Sequence, residues 1–230
     1  MYKRVLLKIS GEALSANGNS IDATMVRHIV DQVVRLHNEG TEIGIVVGGG
    51  NFWRGRQGTS MDRVTADHMG MLATIMNSLA LQDAIEKNGV PVRVQTALSI
   101  PSVAEPYCFR KALSHLSKGR IVVFACGTGN PYFSTDTGAA LRATEIKADV
   151  LLMAKNVDGV YDADPKTNPN AKKIDEISYM EIINRGLKVM DLNALTICME
   201  NAIPIVAFAL DSEEGLMKAA HGETIGTTIK

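Results

Sequence analysis

The apolar positions of this chain fall into two alternating patterns. Short continuous runs occur at residues 4–10 (RVLLKIS), 42–50 (EIGIVVGGG), 91–97 (PVRVQTA), 120–127 (RIVVFACG), 150–155 (VLLMAK) and 204–210 (PIVAFAL). Runs of that length predict strands, and their lack of polar alternation predicts burial on both faces. Between them the spacing is helical. Met25, Ile29, Val33 and Leu36 repeat within 22–40, where Gly40 supplies a stop, and Met69, Leu72, Met76 and Leu79 lie on one side of 65–87. Further helices are expected over 105–118, 136–147, 179–185, 192–201 and 214–221, and a last edge strand over 224–229. Strands that alternate with helices predict an α/β fold, a three-layer sandwich with a mostly parallel central sheet. No repeat or linker divides residues 1–230, so one domain is expected. The most loop-like stretch is 156–173, with Pro165 and Pro169, a lid or a seam between two lobes.

Open α/β sheets bind ligands beyond the carboxyl ends of their strands. Four polar segments follow strands here: KISGE, GGGNFWRG, GTGNPYFSTD and KNVDGVYDAD. Lys8 stands in an otherwise apolar run, and a lysine is rarely buried without a partner. It is aimed at an anionic ligand, or at a carboxylate that closes the sheet. Gly11 just beyond permits close backbone approach. Gly48, Gly49 and Gly50 read either as a tight turn or as an anion cradle, and Arg54 beside them favours phosphate. No Walker loop is present, and Trp53 stands where a dinucleotide fingerprint needs its third glycine. In the third segment Ser134, Thr135 and Asp136 crowd one turn, although a helix cap needs only one of them. Asp136 is therefore either a cap or a charge placed near a cation or lysine. Asp67 has the same ambiguity, while Asp164 and Asp191 read as turn or cap residues. His28, His37, His115 and His221 show no partner pattern.

Composition narrows the chemistry. Of 230 residues 46% are hydrophobic and 21% charged, with a net charge of −1, so nucleic acid is not expected as a main partner. Cys108, Cys126 and Cys198 are widely spaced and lack metal-ligand spacing. The first apolar run is too short for a signal peptide, no segment has transmembrane length, and a cytoplasmic location is expected. Glycine-rich loops, one strand lysine, one arginine and a carboxylate together point to phosphoryl transfer, which needs positioning and positive charge more than covalent chemistry.

Six blocks stand in one order: KISGEAL, GGGNFWRG, DHMGMLATIMN, GTGNPYFSTDT, VDGVYDADP and KVMDLNA. On these blocks the chain resembles the bacterial uridylate kinases of the amino-acid kinase superfamily. The resemblance implies the reaction UMP + ATP → UDP + ADP with Mg²⁺, held through the nucleotide phosphates without a dedicated protein ligand set. It implies Lys8, Arg54 and Asp136 as catalytic residues. For ATP it implies Lys8, Ile9, Ser10, Gly11, Gly50 and Arg54 around the phosphates, with Lys155, Asn156, Tyr161 and Asp164 around the adenosine. Which of Lys155 and Asn156 meets the adenine stays open. For UMP it implies Gly49, Asp67 and the loop Thr128, Gly129, Asn130, Pro131, Tyr132, Phe133, Ser134 and Thr135. UMP would lie on the N-terminal part and ATP on residues 150–230. It further implies a homo-oligomer, a hexamer in most relatives, activated by GTP and inhibited by UTP. The alternatives within the superfamily are a kinase of carboxylates or carbamate and a non-catalytic nucleotide- or oxyanion-binding relative.

Overall fold

The computed structural model describes residues 1–53, 60–163, 167–168, 170–187, 189–210 and 214–230. Among them nine strands form one sheet. Its middle strand is β1 (Arg4–Ile9), flanked in parallel by β2 (Glu42–Val47) and β6 (Val150–Lys155). Beyond β2 lie β5 (Ile121–Ala125), β3 (Val92–Thr96) and the two-residue β4 (Glu105–Pro106). Beyond β6 lie β10 (Ile205–Ala209), β11 (Thr227–Ile229) and β9 (Glu176–Ile177). Within this sheet, among the described residues, only the β10–β11 pairing is antiparallel. The chain leaves β1 towards β2 and returns on its other side through β6. That reversal opens a crevice at the carboxyl ends of the three central strands, where such sheets bind ligands.

Alternation along the strands sorts the side chains into two cores. Val5, Leu7 and Ile9 of β1 pack with α1 (Ala23–Asn38), α2 (Arg63–Glu86) and α7 (Gly215–His221). Leu6 faces the other way, with Val122, Phe124, Leu151 and Met153. It packs on α4 (Thr135–Glu145) in the layer that also holds α3 (Phe109–Leu116), α5 (Tyr179–Arg185) and α6 (Leu192–Glu200). This is the expected three-layer sandwich. Period two then assigns the polar residues at the strand ends. Lys8 shares its face with Leu6, and Lys155 shares its face with Leu151 and Met153, so both lysines point to the α4 side.

The structure departs from expectation at four places. The helix expected over 105–118 starts later, at Phe109, because Glu105 precedes Pro106 and that position disfavours helical backbone. Glu105–Pro106 instead pairs with Gln95 and Thr96. The stretch 224–229 does not form an edge: β11 lies between β10 and β9. Part of the loop 156–173 forms a hairpin of β7 (Val160–Tyr161) and β8 (Lys173–Ile174). Finally, the apolar side of α2 faces outward, with Met69, Leu72 and Met76 exposed, while Ala66, Met71, Ala73, Ile75, Leu81 and Ile85 are buried.

The turn into β11 depends on Gly226, which has φ +64°; a Cβ there would lie 2.0 Å from the Ala207 carbonyl oxygen. Neither atom can move without breaking the sheet. We expect Gly226→Ala to cost about 2 kcal/mol or more, combining left-handed strain with a backbone clash. A thermal melt tests this; an unchanged midpoint would show that the turn into β11 relaxes freely.

Candidate active site

At the carboxyl end of β1 the Lys8 Nζ lies 2.8 Å from Asp136 Oδ1 in the first turn of α4. The two side chains are only 15% and 21% exposed. Asp136 does not cap its helix. Ser134 does so, its Oγ accepting from the backbone N–H groups of Asp136 and Thr137. The aspartate is thus free to serve as the counter-charge of Lys8. Ser134 Oγ–H in turn donates to Asp191, which also accepts from Thr137 Oγ1 at 3.0 Å and from the Ala194 N–H at 2.9 Å. Asp191 is the cap of α6, as its sequence position suggested, and it also ties the start of α6 to the start of α4.

Lys155, one strand away on β6, joins this cluster. Its Nζ donates to the Val189 carbonyl between α5 and α6. Burial pushes its ammonium below the ordinary lysine range; Asp136 pulls it back up and Lys8 pushes it further down. Two lysines therefore flank one aspartate on a single face of the sheet.

The glycine loops close the other side by touching one another. A Cβ on Gly11 would lie 2.5 Å from Asn51 Oδ1, 2.7 Å from the Gly48 carbonyl and 2.8 Å from the Gly50 nitrogen. A Cβ on Gly49 would lie 2.7 Å from the Gly70 carbonyl of α2. Gly48 and Gly49 are not in the left-handed region, so they are required for close packing rather than for turn formation. Asn77 of α2 locks the same loop by donating to the Gly48 carbonyl and exchanging hydrogen bonds with Asn51. Ser10 Oγ and Trp53 Nε1 are buried and have no partner among the described residues.

Two cavities meet at Ser134 and Asp136. The first, of about 560 Å³, is lined by the β2 loop, α2 and the loop after β5. Gly49, Gly50, Asp67, Thr128, Asn130, Phe133, Ser134, Thr135 and Asp136 all line it. Gly129, Pro131 and Tyr132 belong to the same loop but are not part of its wall. The second, of about 500 Å³, lies on the other side of Asp136. Its wall is largely apolar, with Ile182, Leu187, Val189, Met190 and Leu195 from the α5–α6 region. Neither Asn156 nor Tyr161 lines it: Asn156 is exposed, and the Tyr161 hydroxyl donates to Asp158. Arg54 and Asp164 lie outside the described residues. Asp67 Oδ2 accepts from Arg63 Nε at 2.8 Å and from the Tyr132 N–H at 2.7 Å.

The sequence reading did not single out Arg63, Gly70, Met71, Thr74 and Cys126 of the first wall. A signal for three of them existed: Asp67, Gly70, Met71 and Thr74 follow the i, i+3, i+4, i+7 spacing of one helix face. The wall of the second cavity carried no such signal. Its residues look like ordinary core positions, and only folding exposes one side of them.

Residues 3–208 match the family model described as the Amino acid kinase family. The chain belongs to the amino acid kinase family. Among solved structures of this family it is similar to the UMP kinase of Bacillus anthracis, with 39% identity and a TM-score of 0.96, covering 100% of this chain and 96% of that one. The UMP kinase of Ureaplasma parvum is 36% identical with a TM-score of 0.94, covering 100% and 99%. The uridylate kinase of Archaeoglobus fulgidus is 31% identical with a TM-score of 0.76, covering 98% and 99%. No helix among the described residues is long and apolar enough to cross a membrane.

The Lys155 environment makes a prediction about stability. Its folded pKa is lowered, so between that value and the ordinary lysine range the unfolded chain binds more protons, and stability rises with pH. Below that window the protonated Lys155 opposes folding. Lys155→Met should therefore melt no lower than the parent at neutral pH, and any gain should shrink towards pH 10. A midpoint several degrees lower at pH 7 would show that the Val189 hydrogen bond outweighs the burial of charge.

Proposed function

We propose that this chain is a UMP kinase, a phosphotransferase that moves the γ-phosphoryl group of ATP to UMP and releases UDP and ADP. The single observation that carries this reading is the meeting of two cavities at one carboxylate flanked by two lysines. A reaction between two nucleotides needs two pockets, with the reacting phosphates at their junction and cations beneath them. The full-length likeness to the UMP kinases of B. anthracis and U. parvum supplies the substrate. The carboxylate- or carbamate-kinase and non-catalytic alternatives have no comparable support.

In this reading UMP occupies the first cavity. Gly49 and the loop residues Thr128, Asn130, Phe133, Ser134 and Thr135 contact the nucleotide, and Asp67 accepts from a ribose hydroxyl. ATP phosphates lie over Lys8, Ile9, Ser10, Gly11 and Gly50, where the buried Ser10 hydroxyl lacks a partner among the described residues. The adenosine extends over the C-terminal part of the chain towards Asn156, Tyr161 and the apolar second cavity. Lys155 then serves the phosphates rather than the base, which is where its Nζ and charge environment favour it. Arg54 remains assigned to the transferred group and Asp164 to the adenosine on sequence grounds alone.

A UMP phosphate oxygen attacks the γ-phosphorus in line, the bond from that phosphorus to the β,γ-bridging oxygen breaks, and its electron pair leaves with ADP. No base is needed, because the acceptor is already ionised. Lys8 and Lys155 stabilise charge on the transferring oxygens; Asp136 holds Lys8 in place and the Val189 carbonyl holds Lys155. Among the described residues no three His, Cys, Asp or Glu side chains gather as a metal site. Mg²⁺ suits this geometry as an ion carried on nucleotide phosphates beside the one carboxylate Asp136, since it commonly keeps its waters and takes one or two carboxylates. When bound it neutralises phosphate charge.

The finer assignments follow from chemistry. UTP shares uracil and ribose with UMP and inhibits from the same cavity. GTP has no counterpart there and activates from a second site. Exposed Met69, Leu72 and Met76 on α2 provide a face for self-association into a homo-oligomer, a hexamer by resemblance. The enzyme works in the cytoplasm, in pyrimidine nucleotide synthesis.

Three outcomes are expected. A coupled ADP assay with UMP, CMP, acetylglutamate and aspartate should give efficient turnover with UMP alone, since a hydrogen-bonding site can reject cytosine by about 10⁴-fold. Efficient turnover of an amino-acid substrate would overturn the reading. Lys8→Ala and Asp136→Asn should each lower kcat by roughly 10²-fold or more; near-normal turnover in both would remove the lysine–aspartate cluster from the mechanism. Leu72→Glu, at a position 47% exposed in the isolated chain, should lower the sedimentation coefficient. An unchanged assembly would move the interface elsewhere.

A further inference from the structure

The cavity assigned to UMP is closed along one edge by a contact that the transfer mechanism does not use. Arg63, at the start of α2, donates from Nε to Asp67 Oδ2. The same oxygen accepts from the backbone N–H of Tyr132, at the tip of the loop after β5. The Arg63 guanidinium carbon also lies 5.2 Å from the centre of the Tyr132 ring. Tyr132 has φ +72°, a conformation that a side chain other than glycine adopts at a cost. The residue is 62% exposed, so burial does not hold it there.

A surface Arg–Asp pair four residues apart on a helix usually contributes little. This pair differs in two respects. The Asp67 side chain is mostly buried, and its carboxylate bridges α2 to a distant loop. The guanidinium reaches both partners at once, with Nε on the carboxylate and its carbon over the ring, a double contact that the extended planar fork of arginine suits better than a compact ammonium. With Oδ2 engaged by these two donors, Asp67 has its other oxygen to offer to a ribose hydroxyl.

We propose that Arg63 is the positioning residue of the acceptor cavity, a latch that orients Asp67 and pins the strained Tyr132 turn over α2. This rests on the UMP-kinase reading for the identity of the acceptor, but the latch itself belongs to the geometry. Without Arg63 the carboxylate can rotate and the turn can relax, so the cavity loses its preorganised edge while the lysine–aspartate cluster is untouched. Acceptor binding weakens, and the transfer step proceeds once the acceptor is bound.

The test uses Arg63→Gln and Arg63→Lys in the full chain. Arg63→Gln should raise KM for UMP by about tenfold, with kcat within about threefold and KM for ATP unchanged, the pattern of lost binding common to ground and transition states. Arg63→Lys, which keeps the charge but not the fork or the stacking face, should fall between. Independently of any ligand, hydrogen exchange at the Tyr132 amide should speed up about tenfold in Arg63→Gln, while amides of the central strands keep their rates. An unchanged Tyr132 exchange rate overturns the latch, whatever the substrate. A fall in kcat at unchanged KM for UMP overturns it too and places Arg63 with the reacting phosphates. If the parent protein fails to bind UMP in a calorimetric titration, the UMP-kinase reading fails, and the exchange rate still decides the latch.

Discussion

The ion pair of Lys8 and Asp136 is the constraint around which the rest of the site is arranged. A lysine within the central strand of a buried sheet needs a counter-charge, and the strand's period of two decides on which face it must be found. That face is covered by α4, so the aspartate has to sit in its first turn. Ser134 takes over the capping role and leaves the Asp136 carboxylate unspent on its own helix. Lys155 reaches the same point from β6 because it lies two residues beyond Met153, which is itself in register with Lys8. Three charges from three elements thus meet through strand parity and register alone.

Backbone contact is the second organising force. Gly11, Gly48 and Gly49 let two loops and the backbone of α2 approach more closely than any side chain allows, and the reciprocal amides of Asn51 and Asn77 hold that approach. On the far side, Asp191 joins the starts of α4 and α6, so the turn that separates the two cavities is anchored from both halves of the chain. The junction of the two cavities is cross-linked by hydrogen bonds, whereas at the rim Tyr132 is held by polar contacts rather than by packing.

Much of this was legible in one dimension. Buried strands announced themselves as unbroken apolar runs, and Lys8 was conspicuous because Val5, Leu6, Leu7 and Ile9 around it are all apolar. The crowding of Ser134, Thr135 and Asp136 signalled that one turn had more than one task. The boundary errors have local causes: Pro106 ends a helical expectation, and Gly226 turns the last strand back into the sheet. The outward direction of Met69, Leu72 and Met76 could not be read, because helical spacing identifies a face without saying what covers it. Lys155 was legible as a strand-end residue, but its direction towards Asp136 was not.

What the sequence determined by itself was the order of elements, the layered α/β class, and which polar loops follow the strands. Those follow from local physics: period, burial and turn chemistry act between near neighbours. What only the tertiary structure decided was which of those residues meet. The register of β1 against β6 brought Lys155 under Asp136, and the closeness of α2 to the β2 loop shaped the first cavity. The α5–α6 connection turned core-like residues into the wall of the second. Each depends on contacts between positions far apart in the chain, and no local pattern records where a distant partner will lie.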